Sequence, residues 1–179
     1  MNYTVFPTQV LNSQEKEPEF HNYLFNLEID IWLNKPKKAL WTSPLKMYDK
    51  NGESFPISPW LFWCYYEDFR IYDYTFIIYP KTNLKLYKIE NDQDIENVPK
   101  IKLKNYDNIL SINFERLKEE NYDGVYLTAI GANKYHSLKQ SYMSFNTWDV
   151  ESICWFHTNW IQSIELIPNY RKKLFKFMK

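Results

Sequence analysis

The chain is poor in the residues that build several common functional sites. Its 179 residues include 3 glycines and 2 cysteines, and neither a G-x-G-x-x-G, a Walker loop nor a G-x-S-x-G elbow occurs. Cys64 and Cys154 lack C-x-x-C neighbours and H-x-x-x-H partners, which argues against a metal site. Each lies in an aromatic run, which predicts a buried free thiol in a reducing compartment.

An excess of one charge and a long apolar run are also missing. There are 22 basic and 22 acidic residues, so the formal net charge is zero, which argues against a nucleic-acid binder that depends on a broad basic field. The only arginines are Arg70, Arg116 and Arg171, so bidentate phosphate recognition has few candidates. No apolar run reaches membrane-spanning length, and residues 1–10 lack the charged and apolar regions of a signal peptide. We therefore expect a soluble, cytoplasmic protein without a membrane span.

Aromatic side chains, in contrast, are abundant. They make up 19 % of the chain, with 15 Tyr, 12 Phe and 7 Trp, and such large, semi-polar side chains suit a sheet-rich core and an aromatic-lined cleft. With 45 % hydrophobic and 25 % charged residues, the composition is that of a globular protein. The length predicts a single domain spanning residues 1–179.

Apolar periodicity predicts more strands than helices. Strands are expected at 3–7, in the second half of 22–33, and at 39–44, 74–80, 83–90, 122–128, 151–156 and 160–168. Helices are expected at 58–69, 92–99 and 111–120, the first capped by Ser58 and the last by Ser111. Loops are expected at 11–20, 44–57 and 129–144. The basic runs at 34–38 and 171–179 are expected to be solvated faces or frayed ends. Since no regular βαβ alternation occurs, this order predicts an α+β fold with mixed or antiparallel sheets.

The helix expected at 58–69 is apolar nearly all round. Its side chains give it no polar face, so we expect it to be largely buried, with Trp60, Trp63 and Cys64 in the core.

Two short stretches contain the candidate site residues. "LWTSP" places Trp41, Thr42 and Ser43 at the end of a predicted strand, and "WDVES" places Asp149 and Glu151 at the entrance to another. One interpretation is structural: a Ser-Pro turn that ends a strand, and turn carboxylates that pair with nearby lysines. The other is a catalytic carboxylate held at a strand edge.

In these stretches and in its order of elements, the chain resembles the ADP-ribosyltransferase fold. In the arginine–serine–glutamate branch of that family, a Ser-Thr-Ser type motif lies on an inner strand and a Gln/Glu-x-Glu motif leads into a later strand. The triplet 41–43 resembles the former, and 149–151 has the spacing of the latter. The resemblance implies two small packed sheets with flanking helices and NAD bound in the cleft between them. The strands at 39–43 and 151–156 would both border this cleft, so that Ser43 and Glu151 approach each other.

The resemblance also implies a role for each residue. NAD would be the substrate, and Glu151 would stabilise the positive charge that grows on the ribose as nicotinamide leaves. Asp149 would face the same side of an extended chain as Glu151, since residues i and i+2 do so, and would orient or deprotonate the acceptor. Thr42 and Ser43 would hydrogen-bond the nicotinamide ribose or position Glu151. Trp41 or an aromatic side chain of the following helix would stack on the nicotinamide ring.

The first motif of the family is where the chain departs from the pattern. An Arg or a His is expected on the first strand, but no arginine precedes Arg70. His21 is the candidate stand-in, and Lys35, Lys37 or Lys38 are candidates for the NAD phosphates.

Two functions follow, from different classes. The first is mono-ADP-ribosyl transfer from NAD to a protein, nucleic acid or small molecule, or hydrolysis of NAD. The missing first-motif arginine favours the alternative, a catalytically inactive protein that binds a protein target on the same scaffold, such as a phage-type inhibitor of a host defence enzyme. "LWTSP" and "WDVES" together are also similar to stretches of bacterial and phage proteins, a similarity that names no activity. A third interpretation, a basic tail at 171–179 that touches anionic membrane, has little apolar area to support it.

Overall fold

The computed structural model describes residues 7–18, 20, 25–30, 35–102, 110–137 and 148–179. Backbone contacts divide the chain into two compact units. Unit 1 comprises Met1–Asn22, Thr42–Asn83 and Thr158–Lys179, and unit 2 comprises Tyr23–Trp41 and Leu84–His157. Both units contain strands and helices, so the predicted α+β class is confirmed.

The described strands are β1 (Gln9–Ser13), β2 (Asn26–Asp30), β3 (Lys35–Lys38), β4 (Leu40–Pro44), β5 (Lys46–Lys50), β6 (Glu53–Ile57), β7 (Tyr74–Pro80), β8 (Leu86–Ile89), β9 (Lys100–Lys102), β10 (Leu110–Ile112), β11 (Gly124–Leu127), β12 (Ser152–Trp155) and β13 (Ile161–Leu166). The described helices are α1 (Pro59–Tyr66), α2 (Asp92–Asn97), α3 (Phe114–Glu119), α4 (Ala129–Ser137) and α5 (Tyr170–Met178).

In unit 1 the strand neighbours are antiparallel. Their order is β13, β7, β1 and then residues 42–44 of β4. The predicted strand at 3–7 lies, except for Pro7, outside the described residues. The loop predicted at 11–20 is wrong for its first three residues, because β1 continues to Ser13 and pairs with β7.

A hairpin of β5 and β6 replaces the loop predicted at 44–57, which is therefore wrong. The turn between the strands is Asn51-Gly52, with φ of 52° and 80°. An Asn-Gly pair with both φ angles positive matches the twist of the flanking strands, so this turn supports pairing instead of ending it.

Helix α1 begins as predicted, but it is less buried than expected. The Ser58 hydroxyl accepts a hydrogen bond from the backbone N–H of Leu61 at 3.2 Å, and Pro59 is the first helical residue. Cys64 is buried as predicted, whereas Trp60 and Trp63 are half-buried. The two tryptophan rings stack with 5.0 Å between centroids, so they cover one another at the edge of the core.

The basic stretch at 171–179, which was expected to be a solvated face or a frayed end, forms a helix whose basic side chains are exposed to solvent. Residues 170–178 form α5, whose residues Tyr170, Leu174 and Met178 are buried in the core of unit 1. Spacing of four places these side chains on one helix face, and the Tyr170 hydroxyl donates to the Pro56 carbonyl at 2.6 Å.

Unit 2 has mixed strand pairing. β12 and β11 are antiparallel, β11 and β8 are parallel, and β2–β3 and β9–β10 form two further antiparallel pairs. The basic stretch at 34–38 was also expected to be a solvated face or a frayed end; its residues 35–38 form β3, in which Lys37 and Lys38 are exposed and Pro36 is buried. The unit has its own core, which includes Phe114, Val125 and Trp148.

Two helix predictions in unit 2 need correction. Ser111 is not a helix cap but lies in β10, and Asn113 caps α3 by accepting from the backbone N–H of Arg116. The loop predicted at 129–144 is wrong for 129–137, which form α4. Across the described part of the chain, no helix combines the length and apolar character that a membrane crossing requires.

Candidate functional site

A buried carboxylate stands at the entrance to β12. Glu151 directly precedes that strand and its exposed fraction is 7 %. The register of β11 and β12 sets Tyr126 opposite Ile153, so Glu151, two residues before Ile153, is a diagonal neighbour of Tyr126. The Tyr126 hydroxyl donates a hydrogen bond of 2.5 Å to Oε1 of Glu151.

The electrostatics of this pair keep the proton on the phenol. Burial raises the pKa of Tyr126, and the hydrogen bond to Glu151 and the charge of that carboxylate raise the pKa further. Tyr126 therefore keeps its proton at neutral pH and donates it in the hydrogen bond to Glu151.

Asp149 is half-buried and follows the buried Trp148. Val150 and Glu151 form a bend, so the alternation rule of an extended strand, which predicted that Asp149 and Glu151 face the same side, does not apply to them. Three residues span at most about 10 Å, which keeps Trp148, Asp149 and Glu151 in one neighbourhood.

An aromatic column leads from the core of unit 2 to a lysine. The rings of Phe114 and Trp148 are stacked at 6.4 Å, and Trp148 meets the half-buried Trp41 edge-on at 4.7 Å. The Lys35 amine lies 4.9 Å from the centre of the Trp41 ring. Burial lowers the pKa of Lys35, and the charge of Asp149 partly offsets this effect, so Lys35 and Asp149 interact electrostatically.

Thr42 and Ser43 belong to unit 1, where both are buried. The Thr42 hydroxyl donates to Oε1 of Gln9 at 2.8 Å. The Ser43 hydroxyl accepts a hydrogen bond of 3.4 Å from the backbone N–H of Trp60. Their predicted contacts with the nicotinamide ribose, and the predicted approach of Ser43 to Glu151, stay predictions. His21 lies outside the described residues.

Unit 2 therefore contains three of the predicted site residues: Trp41, Asp149 and Glu151. It also contains Tyr126, which contacts Glu151, and Lys35, which contacts Trp41, and sequence analysis predicted neither contact. Tyr126 lies 25 positions from Glu151, and only the pairing of β11 with β12 brings them together. Lys35 was considered for phosphates alone; it is half-buried, and in the pairing of β3 with β2 it lies opposite Asp30.

A second polar pair in unit 2 has a structural explanation. The Nε2 atom of His157 lies 2.9 Å from Oδ1 of Asp123, and Oδ2 of Asp123 accepts the backbone N–H of Lys85 at 2.6 Å. The Asp123 carboxylate thus ties together the segments that lead into β8 and out of β12. Among the described side chains, no group of three or more His, Cys, Asp and Glu is arranged to hold a metal ion.

Comparison of the chain with protein-family models, with curated proteins and with solved structures finds no match. The functional argument therefore depends on the site itself.

Proposed function

We propose that this protein has an ADP-ribosyltransferase-like fold and cleaves NAD, transferring ADP-ribose to an acceptor or to water, with Glu151 as the essential carboxylate. The observation that supports the proposal is the buried Glu151, held by the Tyr126 hydroxyl at 2.5 Å. Cleavage of the nicotinamide–ribose bond passes through an oxocarbenium-like state, and a fixed carboxylate stabilises the positive charge on that sugar.

Burial strengthens this effect, because charges interact more strongly where water is excluded. Tyr126 fixes one oxygen of Glu151, so the carboxylate needs little reorganisation when charge develops. Trp41 offers an aromatic face for the nicotinamide ring, and Asp149 receives the proton of the acceptor.

The test is Glu151→Gln, assayed by release of nicotinamide from labelled NAD. The amide keeps the size of the side chain and an oxygen that accepts from Tyr126, but it removes the charge. Loss of such a preorganised contact lowers the rate by roughly 10²–10³. The matched control is Glu119→Gln on the exposed face of α3, which leaves the rate unchanged.

Either of two results would refute the enzyme: wild-type protein that shows no heat of NAD binding by calorimetry, or a Glu151→Gln variant that turns over NAD at the wild-type rate. Circular dichroism of both variants separates loss of chemistry from loss of the folded state.

A second candidate is a protein that acts by binding another protein. Two observations favour it: the hydroxyls of Thr42 and Ser43 already make internal hydrogen bonds, and Tyr66 and Phe69 expose 65 % and 55 % of their surfaces at the end of α1. Exposed aromatic side chains are enriched at interaction sites. Absence of NAD binding in the calorimetric experiment would favour this candidate.

A further inference from the structure

Helix α5 carries an exposed basic face. Five of the nine residues at 171–179 are basic and none is acidic, and all five are exposed. Lys172, Lys176 and the C-cap residue Lys179 recur at spacings of four and three, which places them on one side of the helix. The zero net charge of the chain argues against a broad basic field, but it leaves room for this short, local one.

An open cleft in unit 1 borders this face. Its volume is about 540 Å³, and its lining includes Tyr74, Arg171, Lys172 and Phe175. Asp73 also lines the cleft, but its carboxylate forms a salt bridge of 2.7 Å with Arg171, which offsets the negative charge there. We call this space the α5 cleft; in it two aromatic side chains and a lysine line one cavity.

Phe175 connects the α5 cleft to the basic face. It is three residues from Lys172 and four from Lys179, so it lies on the same side of the helix. The guanidinium carbon of Arg171 lies 5.8 Å from the centre of the Phe175 ring, and Tyr65 of α1 meets that ring edge-on at 5.4 Å. These contacts hold the side chain, yet Phe175 keeps 37 % of its surface exposed. A ring that is both held and exposed offers a stacking surface at a small cost in side-chain entropy.

Cations beside an exposed ring are what a single-stranded nucleic acid requires, because such strands are bound by cations that follow the phosphates and by aromatic rings on which the bases stack. An anionic membrane suits this face less well, since the apolar residues Tyr170, Leu174 and Met178 of α5 are buried in the core of unit 1 and do not reach lipid. An acidic peptide would use the lysines alone and would leave the aromatic lining of the cleft unused.

We propose that unit 1 binds single-stranded nucleic acid along α5. One base lies in the α5 cleft and stacks on Phe175, and backbone phosphates contact Lys172, Lys176 and Lys179. The proposal uses none of the residues assigned to NAD cleavage and does not rest on that function.

Nearby acidic residues limit the extent of this surface. Glu67 and Asp68 are exposed directly after α1, and their charges repel phosphates, so the strand follows α5 and does not continue over the end of α1. Each phosphate contact with a single strand contributes about −0.7 to the slope of log K against log salt concentration, so three contacts give a slope of about −2. Affinity is therefore highest at low salt.

The experiment titrates the full chain into fluorescein-labelled oligo(dT) and oligo(rU) of about 12 nucleotides, and it follows anisotropy at several salt concentrations. We expect binding of both with a slope of about −2. Phe175→Leu keeps an apolar side chain but removes the ring, so affinity falls at least about fivefold, whereas Phe175→Trp retains it. Lys172→Gln lowers affinity and reduces the slope by about 0.7. The matched control Lys81→Gln is exposed and follows the end of β7 remote from Tyr74, and it changes neither quantity.

Several results would overturn the proposal. These are no binding of either oligonucleotide at low salt, wild-type affinity in Phe175→Leu, or a loss in Lys81→Gln equal to that in Lys172→Gln. Preference for poly-glutamate over the oligonucleotides identifies an acidic protein as the partner, and preference for vesicles containing phosphatidylserine identifies a membrane; either overturns the proposal too. Circular dichroism shows which variants are folded, and the lysine variants, which change exposed side chains, decide the outcome even where Phe175→Leu fails to fold.

Discussion

Glu151 illustrates how a single residue can satisfy opposing demands of stability and chemistry. A buried carboxylate is costly unless donors satisfy it, and the Tyr126 hydroxyl is such a donor. A carboxylate solvated by water would interact more weakly with a developing cation. The donor that makes burial tolerable therefore also preserves the charge that the proposed reaction needs.

This bond can be tested through stability. Tyr126→Phe removes the hydroxyl and leaves the buried carboxylate without that donor, so the free energy of unfolding should fall by about 1.5–3 kcal/mol, as for a hydrogen bond to a charged group. Urea denaturation measures the change. The control is Tyr122→Phe: the Tyr122 ring is half-buried and contacts Tyr87, yet its hydroxyl donates to no partner among the described residues. That variant should stay within about 0.5 kcal/mol of wild type, and equal losses in both would contradict the assigned bond.

The candidate site was predictable from sequence only where the signal is local. The carboxylates of "WDVES" were predicted to lie at the start of a strand, and β12 begins at Ser152, directly after Glu151. Tyr126 could not be assigned, because its contact with Glu151 depends on the register of two strands that lie far apart in sequence. The bend at Val150 was likewise not predictable from the sequence. The alternation of an extended strand, which was used to place Asp149 and Glu151 on the same side, therefore does not apply there.

At the scale of elements, the same distinction between local and distant signals holds. The start of α1 was predictable because Ser58 and Pro59 act on their own helix. Helix α4 was missed because Gly131 and polar neighbours are typical of a loop. The glycine is needed for a tertiary reason: a Cβ at Gly131 would lie 2.5 Å from the carbonyl oxygen of Ile89 and 2.9 Å from a methyl group of Leu127.

Gly131→Ala should therefore lower stability although alanine is the better helix former. The intrinsic gain in helix propensity is about 1 kcal/mol, but the methyl group meets the backbone of β8, which cannot move without disturbing its pairing with β11. We expect a net loss of roughly 1–3 kcal/mol, the usual cost of overpacking. Asn133→Ala, at an exposed position of the same helix, should be neutral or slightly stabilising. Thermal melting of both variants measures the difference, and stabilisation by Gly131→Ala would show that the helix does not approach β8 so closely.

At the scale of the molecule, the two units are interleaved along the chain. Unit 1 is assembled from three separate segments and unit 2 from two. Linkers rich in Gly, Pro or Ser mark boundaries between domains that follow one another in sequence, and an interleaved arrangement needs no such linker. Sequence patterns thus predicted the secondary-structure class, whereas the division into units depends on long-range contacts that no local pattern reports.

Each unit has its own core, and each core buries one free cysteine: Cys64 in unit 1 and Cys154 in unit 2. Burial raises the pKa of Cys64 to about 12 and also raises the pKa of Cys154, with Lys35 opposing the latter shift. Thiol reagents react with the thiolate. In the folded protein, burial blocks the reagent from reaching these side chains, and their raised pKa values keep them protonated.

We therefore expect neither thiol to react under native conditions. At about pH 8, labelling by a disulfide reagent should be at least roughly 100-fold slower than in the unfolded chain, where a thiolate forms readily. With increasing denaturant, modification of Cys64 reports opening of the unit 1 core and modification of Cys154 reports opening of the unit 2 core. Cys64→Ala and Cys154→Ala each leave a single thiol, which assigns the two signals. Rapid labelling of Cys64 in the native protein would mean that α1 opens readily, and its half-buried tryptophans would then lie at a dynamic edge of the core instead of a fixed one.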